Sequence, residues 1–411
     1  MQCKFLIVSL VALLSTFFTT TLSAQSEIQV ADLEDPIDTS DMMVAKGGST
    51  VTDAQLKERL SKLSSCVELR SNGVVKGYIK TYVQVKTDKA RTMLGRRLTY
   101  FPLFEQKLKE YGIPTDLKYL SVVESALNPK AVSKVGATGL WQFMPYTGSD
   151  YGLRTNSAVE DRSNPVKSTD AAARYLKALY NQFDDWALAL AAYNSGPGRV
   201  NSAIKRAHSR DFWSIQRYLP QETRNYVPNI LATILIANNP NQYGFGHIRP
   251  APALNYDRIR VPASTNLTLL AQASDTTVQY LRYLNPHLRT NSTPPVPYIV
   301  NVPAGKANDV VALFRRIPAS KVNNTNLANS SAGETWQNIS NRTGVSVAEL
   351  MAANPGMNTP AGKVFVPVSG NKVNTISYSR PTNQPAVTAA SNVKVVKAKA
   401  GDTVAKVAEW Y

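Results

Sequence analysis

The pattern of apolar and polar positions changes character near Pro240. Upstream, from about Thr52 to Asn239, apolar residues recur at helical spacing between short polar or Gly/Pro-bearing stretches. LKERLSKL, VVKGYIKTYVQV and ARTMLGRRL open the series. LTYFPLFEQKLKEYG follows, with Leu103, Phe104 and Leu108 on one face and Gly112 as the stop. TDLKYLSVVESAL predicts a further helix, capped by Thr115, with Leu117, Leu120, Glu124 and Leu127 on one stripe. Tyr119, Val122 and Val123 make its other sides apolar, the mark of a buried helix. Ser168 or Thr169 caps STDAAARYLKALYNQF, which turns Ala172, Tyr175, Leu176 and Leu179 inward. Asp184 caps DDWALALAAYNSG, closed by Gly196 and Pro197. GRVNSAIKRA and QETRNYVPNILATILIANN complete one mainly helical domain over 53–245 (core 100–240), with PYTGSDYGL and VEDRSNPVKS as loops.

Downstream, 246–258 is a Pro-rich linker, and a weak internal repeat begins. Within 259–305, STNLTLLAQASDTTVQYLRYLNPHL leads to PYIVNVPAG; within 327–369, SAGETWQNISNRTGVSVAELMAANPGM leads to GKVFVPVSG. Each predicts two helices joined by a short turn, then Asn-Pro, then a strand ending in Val-Pro. The second has no obvious first strand, since NLANSSA precedes its turn. A Ser/Asn/Thr/Pro linker, 370–392, separates these from VKVVKAKAGDTVAKVAEWY, where 393–411 holds a strand, a turn and one helix of a third, incomplete unit. The units resemble LysM modules, small βααβ domains that bind N-acetylglucosamine-containing glycans. The first is degenerate, with AST where a Gly-Asp/Glu-Thr turn is expected. The fold class is therefore multidomain: a mainly α domain followed by small α+β modules.

The first residues, MQCKFLIVSLVALLSTFFTTTLSAQ, carry Lys4, an apolar core from Phe5 to Phe18, and small residues at Ser23-Ala24. This layout predicts a cleaved signal peptide over 1–24, with no stable transmembrane segment left behind. A flexible acidic tether follows over 25–52. The expected location is the periplasm or cell envelope, free or membrane-associated. Lys and Arg outnumber Asp and Glu by 46 to 29, a net charge of +17, which attracts polyanions. No zinc-finger spacing or RNP-like aromatic run accompanies that charge, so nucleic acid is not the expected partner. The only cysteines are Cys3, inside the signal segment, and Cys66, in a helical pattern, so no internal disulfide is expected in the mature chain. His208, His247 and His287 have no metal spacing, and neither a metal nor another cofactor is expected.

Chemistry concentrates around Glu124. A carboxyl among apolar neighbours is held neutral by desolvation, which suits a general acid. The alternatives are a solvated helix-end Glu or one satisfied by a buried Arg. The run YFPLFEQKLKEYGIPTDLKYLSVVESALNP, then AVSKVGATGLWQFMPYTGSDYGL, DRSNPVKST, AAYNSGPGRV and ETRNYVP occur in order. Over residues 66–240 these blocks resemble the family 1 lytic transglycosylases, nearest the membrane-bound lytic murein transglycosylase D type. The resemblance implies a lysozyme-like helical fold and cleavage of peptidoglycan between N-acetylmuramic acid and N-acetylglucosamine. It implies Glu124 as the single acid and base, where most glycosidases use two carboxylates. By position it implies Ser133 beside the acetamido group or the acid, and Gln142 and Met144 lining the sugar site. It likewise implies Tyr193 and Asn194 near the acetamido group, and Glu222 and Tyr226 on the far wall. Ser133 could instead cap a turn, Asn194 end a helix, Glu222 pair with Arg224, and Met144 belong to the core. Trp141 fits either a sugar platform or the core.

The expected partner is thus a peptidoglycan glycan strand bound by a monomer. The rival readings are a goose-type lysozyme-like hydrolase, with Asp161 or Glu222 as second carboxylate, and a non-catalytic wall-binding protein. A nucleic-acid or membrane-surface binder is a further class, disfavoured by the signal segment and the glycan-like modules.

Overall fold

The computed structural model describes residues 52–61, 66, 67, 70, 73–252, 254–317 and 324–368. The expected signal segment, nearly all of the acidic tether, the 370–392 linker and the incomplete third unit lie outside the described residues. Before Pro240 the described chain forms α1 (Asp53–Ser61), α2 (Gly73–Lys80), α3 (Thr87–Glu110), α4 (Tyr119–Ser125), α5 (Pro145–Asp150), α6 (Pro165–Phe183), α7 (Trp186–Ser195), α8 (Pro197–Ala207), α9 (Phe212–Ile215) and α10 (Gln221–Asn238). Helix α7 is the centre. Its residues Ala187 to Ala192 are all buried, and the four alanines among them let α6, α8 and α10 pack closely around it. Ile79, Phe104, Leu120, Trp141, Leu176 and Leu231 share this core.

Several boundaries differ from the sequence expectation, each for a local reason. The two pieces expected on either side of Leu98 are one helix, α3, which runs through Pro102. The helix expected from Thr115 begins as a 3₁₀ turn, Thr115–Lys118, without a side-chain cap, and α4 ends at Ser125. Ala126 and Leu127 then take left-handed backbone, φ 49° and 60°. That turn removes Leu127 from the stripe, although it stays buried. Helix α6 is capped by Asn164, whose Oδ1 accepts from the Val166 and Lys167 amides at 3.1 Å. Ser168 and Thr169 sit inside the helix and donate to the Asn164 and Pro165 carbonyls. Pro165 has no N–H to satisfy, so a cap directly before it leaves fewer orphan donors than one three residues later. Asp184 closes α6 in left-handed backbone, and Asp185 caps α7 by accepting from Leu188 N–H at 2.8 Å.

Two small modules follow. In the first, β1 (Tyr256–Val261) and β2 (Tyr298–Pro303) pair antiparallel around α11 (Leu267–Ala273) and α12 (Val278–Leu284), and α13 (Ala307–Phe314) follows. The end of the expected linker is thus strand. In the second, β3 (Thr325–Ser330) pairs with β4 (Gly362–Pro367) around α14 (Trp336–Thr343) and α15 (Val347–Ala353). NLANS is therefore part of the first strand that its polar sequence concealed; Leu327 and Ala328 are the strand's buried apolar residues. The repeated Asn-Pro has a structural explanation. Asn285 Nδ2 donates to Asn301 O at 2.7 Å while its Oδ1 accepts from Asn301 N–H at 2.8 Å. Asn354 makes the same pair of bonds with Phe365, at 2.7 and 2.8 Å. Each asparagine thereby ties the end of the second helix to the returning strand.

The first module is also joined to the helical domain. Val159 bridges Leu288, Glu160 N–H donates to His287 O at 2.9 Å, and Arg289 N–H donates to Ala158 O at 3.0 Å. Val159 is buried in the module's core, which also takes in Leu327 and Phe365 of the second module. Among the described residues no helix is long and apolar enough to cross a membrane.

Candidate active site

Glu124 occupies the last turn of α4, just before the left-handed turn that stops the helix. Ser121 and Ser125, on the same short helix, donate to the Leu140 carbonyl at 2.7 and 2.9 Å. These bonds hold α4 against the loop over 131–144, which carries three of the expected site residues. The loop is a tight double turn. Thr138 and Phe143 exchange backbone hydrogen bonds at 3.0 and 3.2 Å, and Gly139 N–H donates to Ala131 O at 2.8 Å. Gly139 has φ 87°, and a Cβ there would lie 2.0 Å from the Arg162 carbonyl oxygen, so only glycine fits.

Within this loop Ser133 is a turn residue: its Oγ accepts from Ala137 N–H at 3.0 Å. The Gln142 side-chain amide donates to Ala131 O and Gly139 O, at 3.2 and 3.0 Å, from a residue in left-handed backbone. Met144 is 41% exposed on the loop's lip, beside Tyr146 at 80%, and is not a core residue. Trp141 is fully buried, donates to Thr169 Oγ1 at 2.9 Å and packs on Phe104, so the sugar-platform alternative falls and the core one stands.

The opposite side comes from α7 and α10. The Tyr226 hydroxyl donates to Glu124 Oε1. Tyr193 donates to the Trp141 carbonyl at 2.8 Å and lies close enough to feel the Glu124 charge. Asn194 joins the two helices: it accepts from Thr223 Oγ1 at 2.8 Å and its Nδ2 donates to Glu222 Oε1 at 3.3 Å. Glu222 is exposed in the first turn of α10. Its partner is Asn194, whereas Arg224 donates instead to Leu219 O. The structure thus gathers Glu124, Tyr193, Tyr226, Asn194 and Glu222, while the described hydrogen bonds of Ser133 and Gln142 are to their own loop.

Glu124 keeps part of its surface open, but protein encloses the carboxyl. Burial pushes its pKa up to about 8; the Tyr226 hydrogen bond pulls down and the Glu222 charge adds a further push upward. Burial and the nearby Glu124 charge hold the Tyr193 and Tyr226 hydroxyls well above their usual range. A carboxyl that keeps its proton at neutral pH, held by a neutral hydroxyl, can donate that proton to a leaving oxygen. Asp161 is not part of this group. It is buried in ion pairs with Lys167 at 2.8 Å and Arg154 at 3.5 Å.

Two contributors were not foreseen. Tyr78 on α2 is pushed up to about 12 by burial and by the Glu222 charge, so α2 also borders the site. Arg162 is buried, pairs with Glu160 at 2.8 Å, and donates to Gly136 O and Phe143 O at 2.8 and 3.0 Å. It therefore braces the 131–144 loop from outside. Residues 102–216, which span Glu124, this loop, Tyr193 and Asn194, match the family described as "Transglycosylase SLT domain".

The chain carries a transglycosylase SLT domain. Beyond the SLT domain, residues 255–319 match "Lytic transglycosylase MltD, LysM-like domain" and 331–366 match "LysM domain". The chain is 33% identical over 264 residues to the membrane-bound lytic murein transglycosylase D of Escherichia coli K12, covering 60% of this chain and 58% of that protein. It therefore spans little more than half the length of that relative. It is also similar to the soluble lytic murein transglycosylase of the same organism, 34% identical over 143 residues, 33% of this chain and 22% of that one. Among solved structures, the 70 kDa soluble lytic transglycosylase of E. coli is 26% identical, with TM-score 0.32, over 44% of this chain and 32% of that one.

Proposed function

We propose that the protein is an exported peptidoglycan lytic transglycosylase of the cell envelope, with Glu124 as its acid and base. The observation that carries this reading is the Glu124 carboxyl, with a pKa near 8, hydrogen-bonded by Tyr226 inside an SLT domain. Protonated Glu124 gives its proton to the oxygen between N-acetylmuramic acid and N-acetylglucosamine, and that bond breaks. The substrate's 2-acetamido group stabilises the cationic anomeric carbon. Glu124, now a carboxylate, removes the proton of the muramyl 6-hydroxyl, whose oxygen closes on the anomeric carbon. The acid is regenerated and the product is a 1,6-anhydromuramyl end, with no water consumed. Tyr193 and Asn194 orient the acetamido group, and Ser133, Gln142, Met144 and Glu222 border the sugars. The LysM modules hold the enzyme on the wall. The relatives named as lytic murein transglycosylases support this activity, and the membrane-bound one supports the envelope location.

A goose-type hydrolase is the second reading, because Glu222 is a second carboxylate whose charge reaches Glu124. The test is mass analysis of fragments released from purified peptidoglycan. Anhydro ends made by the wild type and lost in Glu124→Gln support the transglycosylase. Reducing ends support the hydrolase, and undiminished digestion by Glu124→Gln removes Glu124 from the chemistry.

A further inference from the structure

Four arginines converge beside the SLT domain's candidate site. Arg199 and Arg206 project from α8, Arg217 from the 3₁₀ turn Gln216–Tyr218, and Arg224 from the start of α10. Together with Tyr218 they line an open groove of about 480 Å³. No Asp or Glu lines it, and among the described residues none of the four arginines makes an ion pair.

Their placement is organised. Arg206 and Arg217 both stack over the Tyr218 ring, with guanidinium carbons 4.9 and 4.8 Å from its centroid. Arg224 Nε is held by the Leu219 carbonyl at 2.8 Å, and Arg199 Nη1 by the Ser195 carbonyl at 3.2 Å. Each of these two bonds uses one N–H of the planar fork, and both arginines line the groove. Four like charges confined together repel one another, and an anion seated among them relieves that repulsion. The groove and the candidate site draw on the same stretches of chain, the end of α7 and the start of α10. Ser195, which holds Arg199, follows Asn194, and Arg224 lies two residues after Glu222.

We propose that this groove binds the carboxylates of the peptide stems on the strand held in the cleft, an inference that rests on the peptidoglycan reading above. The sugars of such a strand carry no charge once the muramyl lactyl group is amidated, so the stems supply the carboxylates. Guanidinium forks match carboxylates in paired hydrogen bonds. An anionic lipid surface would be the other source of negative charge, but none of the exposed large apolar side chains lies in the groove.

Two measurements on the full chain test this. The first uses Glu124→Gln protein, a fluorescent stem tripeptide with free carboxylates, and the same peptide with its carboxyls amidated. The acid form should bind more tightly, and added salt should erase the difference. Adding Arg206→Gln with Arg217→Gln should weaken the acid form about two- to thirty-fold, the effect of removing two exposed ion pairs, and leave the amide form unchanged. The matching pair of Lys substitutions should restore part of the loss. The second measurement uses active enzyme. The double Gln variant should raise KM on stem-bearing strands and leave cutting of amidase-stripped strands as it was. Equal binding of acid and amide peptides overturns the proposal. So does an equal loss on stripped strands, or an effect of the variants on phosphatidylglycerol vesicles alone. If the acid peptide binds as stated but no peptidoglycan is cut, the enzymatic reading fails and the groove assignment survives.

Discussion

In the proposed mechanism Glu124 gives up a proton and then takes one back, and its surroundings set the balance between these two states. Burial and Glu222 favour the neutral acid, while the Tyr226 hydroxyl favours the carboxylate. Activity should therefore fall as pH rises through about 8, where Glu124 loses its proton. In Tyr226→Phe the downward pull is lost, so this alkaline limb should move to higher pH while kcat drops; a pH–rate profile on purified strands measures both. Glu124→Gln should lower the cutting rate by about 10²- to 10⁴-fold, the range for removal of a general acid. The same substitution should also stabilise the fold. The unfolded carboxyl titrates near 4.5 and the folded one near 8, so the folded state binds the extra proton between these values. Wild-type stability thus declines as pH rises across that window, and the Gln variant lacks the decline. Since Glu124 is partly open to solvent, the gain above pH 8 is on the order of 1–3 kcal/mol, readable by denaturant titration at several pH values.

At the scale of elements, the site depends on a short helix and a loop that have few ways to be held. Helix α4 is seven residues long, too short to be stable in isolation. Its two serines fasten it to Leu140, and Arg162 fastens the same loop from the other side. Gly139 is where these constraints meet. Gly139→Ala would drive a methyl into the Arg162 backbone from a positive-φ position. We expect a loss of about 2–4 kcal/mol in stability, with a higher KM, because the loop proposed to border the sugars must shift. Thermal unfolding and steady-state kinetics on the one variant check the two effects together. Helix α7 contributes differently. Its alanines bring α10 close enough for Asn194 to reach Thr223 and Glu222, so close packing of small residues directly sets this side of the candidate site.

Across the whole molecule, the first LysM-type module is joined to the helical domain rather than strung behind it. The bonds from Ala158 and Glu160 to the 287–289 segment reach the same short stretch that supplies Arg162. Support for the site loop therefore extends into the module. The second module is joined in turn, through Leu327 N–H on Gln272 Oε1 at 2.8 Å and Lys363 on Asp275 at 2.7 Å. Leu288 is buried at the first of these junctions. Leu288→Ala should cost the module about 2–4 kcal/mol and uncouple its unfolding from that of the SLT domain. Calorimetry should then resolve a separate early transition, and KM for strands should rise with kcat nearly unchanged. A single shared transition in the variant would show that the junction carries no coupling.

Much of this was legible in the residues themselves. The 3.6-residue periodicity named the longer helices, because burial of one face leaves a mark on local sequence, but it missed α5, in a stretch expected as a loop. The repeated Asn-Pro marked the modules, because one side chain makes the same two bonds in each. An acid among apolar neighbours pointed to Glu124, since desolvation depends on the kind of residue around it. Other features had no local mark. The first strand of the second module reads as polar, and only its partner strand and the core of the first module explain it. The brace from Arg162, the approach of Tyr78 to Glu222, and the alignment of four arginines beside the cleft are meetings of residues distant in the chain. Sequence by itself determined which segments would bury and where the acid lay. Tertiary structure decided which charges and hydroxyls face that acid, because Coulomb and hydrogen-bond energies depend on distance through space and not on separation along the chain.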